Sequence, residues 1–138
     1  MKRKHEYRIW APDIHGMCNV EGIYRDNDGE DLVVLCSYED TGGKKHGATR
    51  IDDAGLMQYI GIDDIQGTPI YEQDIVMTEF DKNPMFVSMG VVCRGKGAFY
   101  VNAEGVDYYK LAELRMIVVG NSHEDEDLLD GHVLDPWR

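Results

Sequence analysis

The sequence predicts a mainly β protein, a small barrel or sandwich with little helix. Many short segments have the composition of strands, and clusters of turn-forming residues separate them. No internal repeat and no linker divides the 138 residues, so a single domain over 1–138 is expected. A chain near this length buries roughly 70% of its extended surface, which allows an ordinary hydrophobic core.

Three strands are expected near the start of the chain. Residues 6–10 alternate polar and apolar side chains until 11–13, Ala-Pro-Asp, interrupt them, and residues 17–24 form a second extended stretch. A turn follows at 25–29, where Asn, Asp and Gly are concentrated. Residues 32–36, Leu-Val-Val-Leu-Cys, are a continuous apolar run, which predicts a strand covered on both faces.

The middle of the chain alternates between turn and strand composition. Residues 41–47, rich in Gly and Lys, predict a flexible surface loop, whereas residues 56–62 have the composition of a strand. Residues 63–69 contain Asp, Gly and Pro and predict a turn. A further strand is expected around 75–77, ending at 82–84.

A hairpin and a short helix are expected in the last third. Period-two patterning from Val87 to Cys93, a tip at 94–97 and a return strand at 98–101 predict the hairpin. Residues 116–120 form a last apolar strand. A cap hydroxyl from Ser followed by four acidic residues then predicts a short acidic helix over about 122–130.

Charge is distributed unevenly along this acidic chain, whose net charge is −12. Residues 51–81 carry eight acidic residues and no Lys or Arg, whereas 82–115 carry five basic and three acidic residues. The negative charge disfavours binding to nucleic acid, although a local basic patch can overcome it. No segment approaches the ~20 apolar residues that cross a bilayer, so no membrane contact and a cytoplasmic location are expected.

Residues 56–76, LMQYIGIDDIQGTPIYEQDIV, resemble the central motif of the YopX family, an LMQYTG block, a charged turn and IYEGDIV. Residues 7–10 and 118–121 agree in order with two further blocks of that family. The resemblance implies a phage or prophage protein of unknown activity, in a bacterial host cell, with a small SH3-like barrel over about 56–121 and additional strands. Gln73 departs from the pattern because the family has Gly there, so a side chain must tolerate any left-handed backbone.

The acidic residues nearest this motif are Asp63, Asp64, Glu72 and Asp74. Paired carboxylates can perform acid–base chemistry or hold Mg²⁺. Asp in a turn also caps backbone amides, and such structural roles are the favoured interpretation. A third possibility is an acidic surface for a partner protein.

The basic hairpin carries the other candidate binding residues, Arg94, Lys96, Phe99 and Tyr100. A basic tip followed by aromatic residues can contact phosphates and stack a base. The sequence does not fit the consensus of an RNA-recognition motif, and placement of both aromatic residues in the core is the favoured alternative.

Nothing in the sequence predicts a metal, a cofactor or an enzyme. His15 and Cys18 form one isolated pair of ligand types, and His123 and His132 add no second close pair, so a zinc site is not expected. The three cysteines are expected to be buried reduced thiols. No nucleotide-binding or hydrolase motif occurs. We therefore expect an accessory protein that contacts a host or phage protein or itself, with nucleic-acid binding through the basic hairpin as the alternative.

Overall fold

A computed structural model describes residues 6–26, 29, 32–50, 55–80, 83–95, 97–103 and 106–130, with the backbone alone at 79, 80, 83–88, 106, 107, 129 and 130. The chain is mainly β, as predicted, and its strands form two antiparallel sheets. The strands are β1 Tyr7–Ala11, β2 Gly16–Arg25, β3 Leu32–Asp40, β4 Gly43–Arg50, β5 Leu56–Asp63, β6 Pro69–Tyr71, β7 Asp74–Phe80, β8 Asn83–Arg94, β9 Phe99–Ala103, β10 Val106–Tyr108 and β11 Arg115–Asn121. Two short 3₁₀ turns complete the structure, Leu111–Glu113 and Glu126–Asp130. None of the described helices is long and apolar enough to cross a membrane.

The chain divides into two compact units, Met1–Tyr59 and Ile60–Arg138. In the first unit the strand order is β4-β3-β2-β1, and β1 pairs on its other side with the first half of β5, where Tyr7 lies opposite Gln58. The core of this unit contains Ile9, Ala11, Cys18, Val34 and Cys36. These side chains lie on one face of the sheet because alternate residues of a strand point to the same side. The expected single domain over 1–138 stays a prediction.

The second unit contains a sheet with the order β10-β9-β8-β7-β11. β7, β8, β9 and β10 follow one another as a meander, and β11 then returns to pair with β7. The second half of β5 and its neighbour β6 also belong to this unit. Its buried core contains Ile70, Val76, Val92, Val101, Ala103, Leu111 and Met116. Within the described residues the end strands β10 and β11 do not join, so the predicted SH3-like barrel is not confirmed as a closed barrel.

β4 corrects the prediction of a flexible loop at 41–47. It pairs with β3 over eight consecutive residues, from Asp40 opposite Gly43 to Val33 opposite Arg50. β4 has little intrinsic strand propensity, but the apolar β3 requires a hydrogen-bonded neighbour on this side. Gly47 also lets Ile14 approach closely, since an added Cβ would lie 3.0 Å from that side chain.

β3 itself is not covered on both faces, contrary to its continuous apolar run. Val34 and Cys36 are fully buried on one face, whereas Leu35 is exposed on the other. An apolar run predicts a strand without stating whether its second face meets protein or solvent. The second face of β3 therefore leaves the large apolar side chain of Leu35 in contact with solvent.

Two other boundaries differ from the predictions. The strand break expected at 82–84 comes earlier, because β7 ends at Phe80 and β8 already begins at Asn83. The predicted acidic helix over about 122–130 is a single 3₁₀ turn, Glu126–Asp130. The side-chain oxygen of Asn121 accepts hydrogen bonds from the amides of His123 and Glu124, so a tight turn takes the place of a first helical turn.

Candidate functional site

The turn between β6 and β7 holds Gln73 in the left-handed region, with φ of 68°. It is the one non-glycine residue with positive φ among those described, so a side chain does tolerate a left-handed backbone at the position where the family has Gly. The Gln73 amide donates to the carbonyl of Val92 at 2.7 Å, and its own carbonyl accepts from the amide of Ser122 at 2.8 Å. The hydroxyl of Ser122 also donates to Gln73 Oε1 at 2.8 Å. The side chain thus ties the turn to the segment that follows β11.

Glu72 and Asp74 flank this residue and are both buried. Asp74 Oδ2 accepts a hydrogen bond from the amide of Tyr71 at 2.8 Å, which closes the turn. Glu72 Oε1 lies 3.4 Å from Nη2 of Arg94, whose side chain remains 59% exposed. The two carboxylates therefore stabilise the turn and hold the end of β8.

Asp64 performs a similar task in the turn after β5. Its Oδ1 accepts from the amides of Gln66 and Thr68 at 2.8 and 2.9 Å, and its Oδ2 accepts from Val118 at 3.0 Å. Burial opposes ionisation of this carboxyl group, but the three amide donors outweigh it and lower the pKa of Asp64. The amide of Ile65 bonds the carbonyl of Met116 at 3.1 Å, so this turn covers the outer edge of β11.

The predicted acidic partner surface receives no support from these positions. Asp64, Glu72 and Asp74 are all buried, and each carboxylate interacts with backbone amides or a guanidinium of its own unit. Asp63 is half-buried at the end of β5. The capping role that sequence analysis favoured describes Asp64 correctly. An acid–base or Mg²⁺ role for these carboxylates stays a prediction.

The basic hairpin forms as predicted, with the tip one residue later than expected, between Arg94 and Phe99. Gly95 donates to the carbonyl of Ala98 at 2.7 Å across that tip. Phe99 packs against the core of the second unit, whereas Tyr100 lies 5.1 Å from the ring of Tyr109. Arg94 is the residue paired with Glu72.

The candidate binding residues that the structure describes lie in different surroundings. Lys96 lies outside the described residues, and Phe99 packs in the core. Arg94 and Tyr100 remain near the hairpin tip, and Tyr109, which is 52% exposed, joins Tyr100 there. An added Cβ on Gly95 would lie 3.2 Å from the Tyr100 ring and 3.3 Å from the Tyr109 hydroxyl, so a glycine allows this pair to form.

The described residues considered as metal ligands have other surroundings in the structure. The ring of His15 stacks on Tyr38 at 4.2 Å, while Cys18 is buried in the core of the first unit. Within the described residues there is no group of three or more His, Cys, Asp or Glu placed to hold a metal ion. His132 lies outside the described residues. The expectation that the chain binds no metal stays a prediction.

The three cysteines are free thiols, and two of them are fully buried. Burial and the neighbouring Cys36 raise the pKa of the Cys18 thiol to about 11. Burial also raises the pKa of Cys36. Neither thiol is a nucleophile near neutral pH, because the reactive species is the thiolate.

The hairpin formed by β2 and β3 has an apolar surface that the sequence did not predict. Within the described residues, four of the six exposed large hydrophobic side chains lie on this hairpin, each between 36% and 48% exposed: Ile23, Tyr24, Leu32 and Leu35. Tyr24 pairs with Val33 and Ile23 pairs with Val34, so the exposed residues lie on both faces of the ribbon. Tyr24 and Leu35 share one face, and Ile23 and Leu32 share the other. We call Tyr24 and Leu35 the apolar hairpin patch.

β4 borders the apolar hairpin patch with basic side chains. Arg50 Nη1 lies 3.0 Å from Asp26 Oδ2, and Lys44 Nζ lies 3.6 Å from Glu21 Oε1. An open hollow of about 430 Å³ is lined at the Arg50 end by Tyr24, Asp26, Val33, Ala48, Thr49 and Arg50. Apolar side chains rimmed by charged ones are typical of surfaces that bind another protein.

The family model described as YopX protein matches residues 6–130 of the chain. The match covers both compact units and all the elements described above. A comparison with curated proteins finds no match.

Proposed function

The chain belongs to the YopX family, and on that premise we propose that it is a phage- or prophage-derived accessory protein that acts by binding another protein in the cytoplasm of a bacterial host. The observation that carries this proposal is the apolar hairpin patch. A monomeric protein rarely leaves large apolar side chains grouped on one element, because their exposure to water is unfavourable. Binding to a partner would remove them from water.

The position of the patch also favours binding over chemistry. Its residues lie on paired strands, and the polar groups beside it are ion pairs that involve Lys44 and Arg50. A catalytic site requires titratable groups that converge on a pocket with perturbed pKa values. Asp64, a carboxyl group with a lowered pKa, already accepts three hydrogen bonds from the protein itself.

Quantitative pull-down tests the proposal. The tagged protein is incubated with lysate of host cells or of cells carrying the phage, and captured proteins are measured by mass spectrometry. Tyr24→Ser with Leu35→Ser should reduce capture of a stoichiometric partner at least about tenfold, because two apolar anchors that each cost about 1 kcal/mol together exceed the ~1.4 kcal/mol of a tenfold change. Ile65→Ser is the matched control, since Ile65 is an equally exposed hydrophobic residue on the turn after β5.

Light scattering on the purified protein covers the case in which the partner is a second copy. Wild-type protein that associates, and a double variant that does not, would support binding through the patch. A monomer that captures no partner, or a double variant that captures as much as wild type, would contradict the proposal.

Nucleic-acid binding is the second candidate, favoured by the Tyr100–Tyr109 pair near the same hairpin tip as the exposed Arg94. Exposed aromatic rings next to a cation can stack on bases of a single strand. If this function holds, binding to a single-stranded oligonucleotide weakens with salt and with Arg94→Ala or Tyr109→Ala, whereas Arg25→Ala has little effect. Absence of binding even at about 0.05 M salt would exclude this candidate.

We also propose that the second unit is the SH3-like barrel that the resemblance implies. Support comes from its connectivity, a four-strand meander whose fifth strand returns beside the first, with the 3₁₀ turn Leu111–Glu113 before that fifth strand. An experimental structure that places β10 beside β11 would establish closure, and one with the two strands on opposite sides of an open sheet would contradict it.

A further inference from the structure

β4 is the end strand of its sheet, and its second edge has no strand beside it among the described residues. It contains eight residues, Gly43–Arg50, which correspond to about 25 Å of extended chain. Its pairing with β3 continues through eight residues without a register shift, and it contains no proline. A long, regular edge of this kind is a template on which another extended segment can pair.

The other end strands differ from β4 in a way that limits such pairing. β6 and β10 are three residues long. β11 has seven residues, but the turn that contains Asp64 and Ile65 bonds its outer edge at Val118 and Met116. Within the described part of the chain, β4 is therefore the end strand that is both long and uncovered.

The side chains of β4 define the charge of a suitable partner. Residues 41–50 contain three Lys or Arg, one His and no acidic residue. The pairing with β3 places Lys44, His46 and Arg50 on one face of the strand, because alternate residues share a face. The side chains of Lys44 and Arg50 are 55% and 64% exposed, so each can meet a second carboxylate beside its existing partner.

A second copy of β4 is a poor occupant of this edge. In every register it would bring only basic or neutral side chains next to the basic ones, and like charges on neighbouring strands are destabilising. An acidic strand would instead place carboxylates beside Lys44 and Arg50.

We propose that the β4 edge binds an extended segment of a partner protein as an additional strand, and that this segment carries acidic residues at every second position. Main-chain hydrogen bonds to β4 supply the affinity, and the alternating carboxylates supply the specificity. The inference rests on the proposed protein-binding function and specifies the chemistry of the partner. It involves the strand edge, whereas the proposed function itself depends on the apolar hairpin patch.

A synthetic peptide tests the proposal on the full chain. The probe is Thr-Glu-Val-Glu-Val-Glu-Thr with a fluorescent label, and its anisotropy is measured against protein concentration. Binding should weaken as salt rises from about 0.05 M to about 0.5 M, because exposed charge pairs are screened. Replacement of each Glu in the peptide by Lys should abolish binding.

Variants of β4 distinguish its two faces. Lys44→Glu with Arg50→Glu should weaken binding of the peptide at least about tenfold. Lys45→Glu is the matched control for Lys44→Glu alone, since each reverses one basic charge and the two residues lie on opposite faces of the same strand. Lys45→Glu should have the smaller effect of the two. Circular dichroism verifies that each variant is folded.

Methylation of the probe tests strand addition without any change to the protein. One peptide is N-methylated at its odd positions and another at its even positions, so that each loses the donors of one edge only. Pairing with β4 requires that one peptide binds and the other does not. Equal binding of both peptides would overturn the proposal.

Three further results would overturn or delimit the proposal that β4 binds an acidic strand. No binding of the probe at millimolar concentration, or equal binding of the Lys peptide, would overturn the acidic-strand proposal. A dimer that Lys44→Glu with Arg50→Glu disrupts would show that a second copy occupies the edge, which also overturns it. If the probe fails while partner capture still depends on Tyr24 and Leu35, the edge proposal is wrong and the proposed function stands.

Discussion

Replacement of Gln73 by glycine and by alanine separates the two contributions of this residue to stability. A non-glycine residue in the left-handed region is disfavoured by about 1–2 kcal/mol, and glycine removes that cost. Both replacements lose the hydrogen bond from Ser122, which contributes about 0.5–1.5 kcal/mol. Glycine also adds about 0.4–1 kcal/mol of conformational freedom to the unfolded chain.

For glycine, the relief of backbone strain nearly offsets the lost hydrogen bond and the added freedom of the unfolded chain. For alanine the strain remains, so the lost hydrogen bond is not offset. Gln73→Gly should change the free energy of unfolding by less than about 1 kcal/mol, whereas Gln73→Ala should lower it by about 1 kcal/mol. Urea denaturation followed by far-ultraviolet circular dichroism measures the difference, since ~1 kcal/mol corresponds to a midpoint shift of about 0.5 M.

Ser122→Ala provides the control because it removes the same hydrogen bond and leaves the backbone of Gln73 unchanged. Ser122→Ala should lower the free energy of unfolding by the same amount as Gln73→Ala. The double variant should be no less stable than either single variant. The reasoning is refuted if Gln73→Ala is as stable as Gln73→Gly, because the backbone at this position would then impose no demand for glycine.

Two further predictions concern buried polar groups. The pKa of Asp64 is lowered in the folded protein relative to the unfolded value of about 3.9, so its stabilising effect is present above that pH and is lost as pH falls through the folded pKa. Asp64→Asn should therefore reduce the free energy of unfolding by about 1–3 kcal/mol at pH 7, with a smaller difference below about pH 4 in urea titrations; an equal difference at both pH values would contradict the assignment. Iodoacetamide at about pH 8 should label the half-buried Cys93 before Cys18 and Cys36 in peptide mass spectra, because the latter two are buried and have raised pKa values. Early labelling of Cys18 would contradict its placement in the core.

Local patterns in the sequence were sufficient for several elements. The alternation from Val87 to Cys93 and the Gly-rich tip predicted the hairpin of β8 and β9, and the composition of 56–62 predicted β5. The family resemblance identified Gln73 as the position at which a side chain would have to tolerate any left-handed backbone, and its φ is 68°. These features depend on residues close together in the chain, which a sequence pattern records directly.

Features that depend on distant neighbours were not predictable in the same way. β4 lacks strand-forming composition and is a strand because β3 lies beside it. Ser122 was expected to cap a helix, but its hydroxyl donates to Gln73, 49 positions earlier in the chain. The exposure of Leu35 likewise depends on what covers the second face of β3, which an apolar run does not specify.

The return of β11 to β7 also determines when the second unit can be completed during synthesis. Strands β7 to β10 can pair as they leave the ribosome, because each partner follows closely in the chain. The other edge of β7 stays unpaired until residues 115–121 have been synthesised. The hydrogen bond from the amide of Val118 to Asp64 also forms only then, because the two residues are 54 positions apart in the chain. A nascent chain released before residue 115 therefore exposes the buried side chains of β7 and an unpaired strand edge, which are the features that chaperones and proteases recognise.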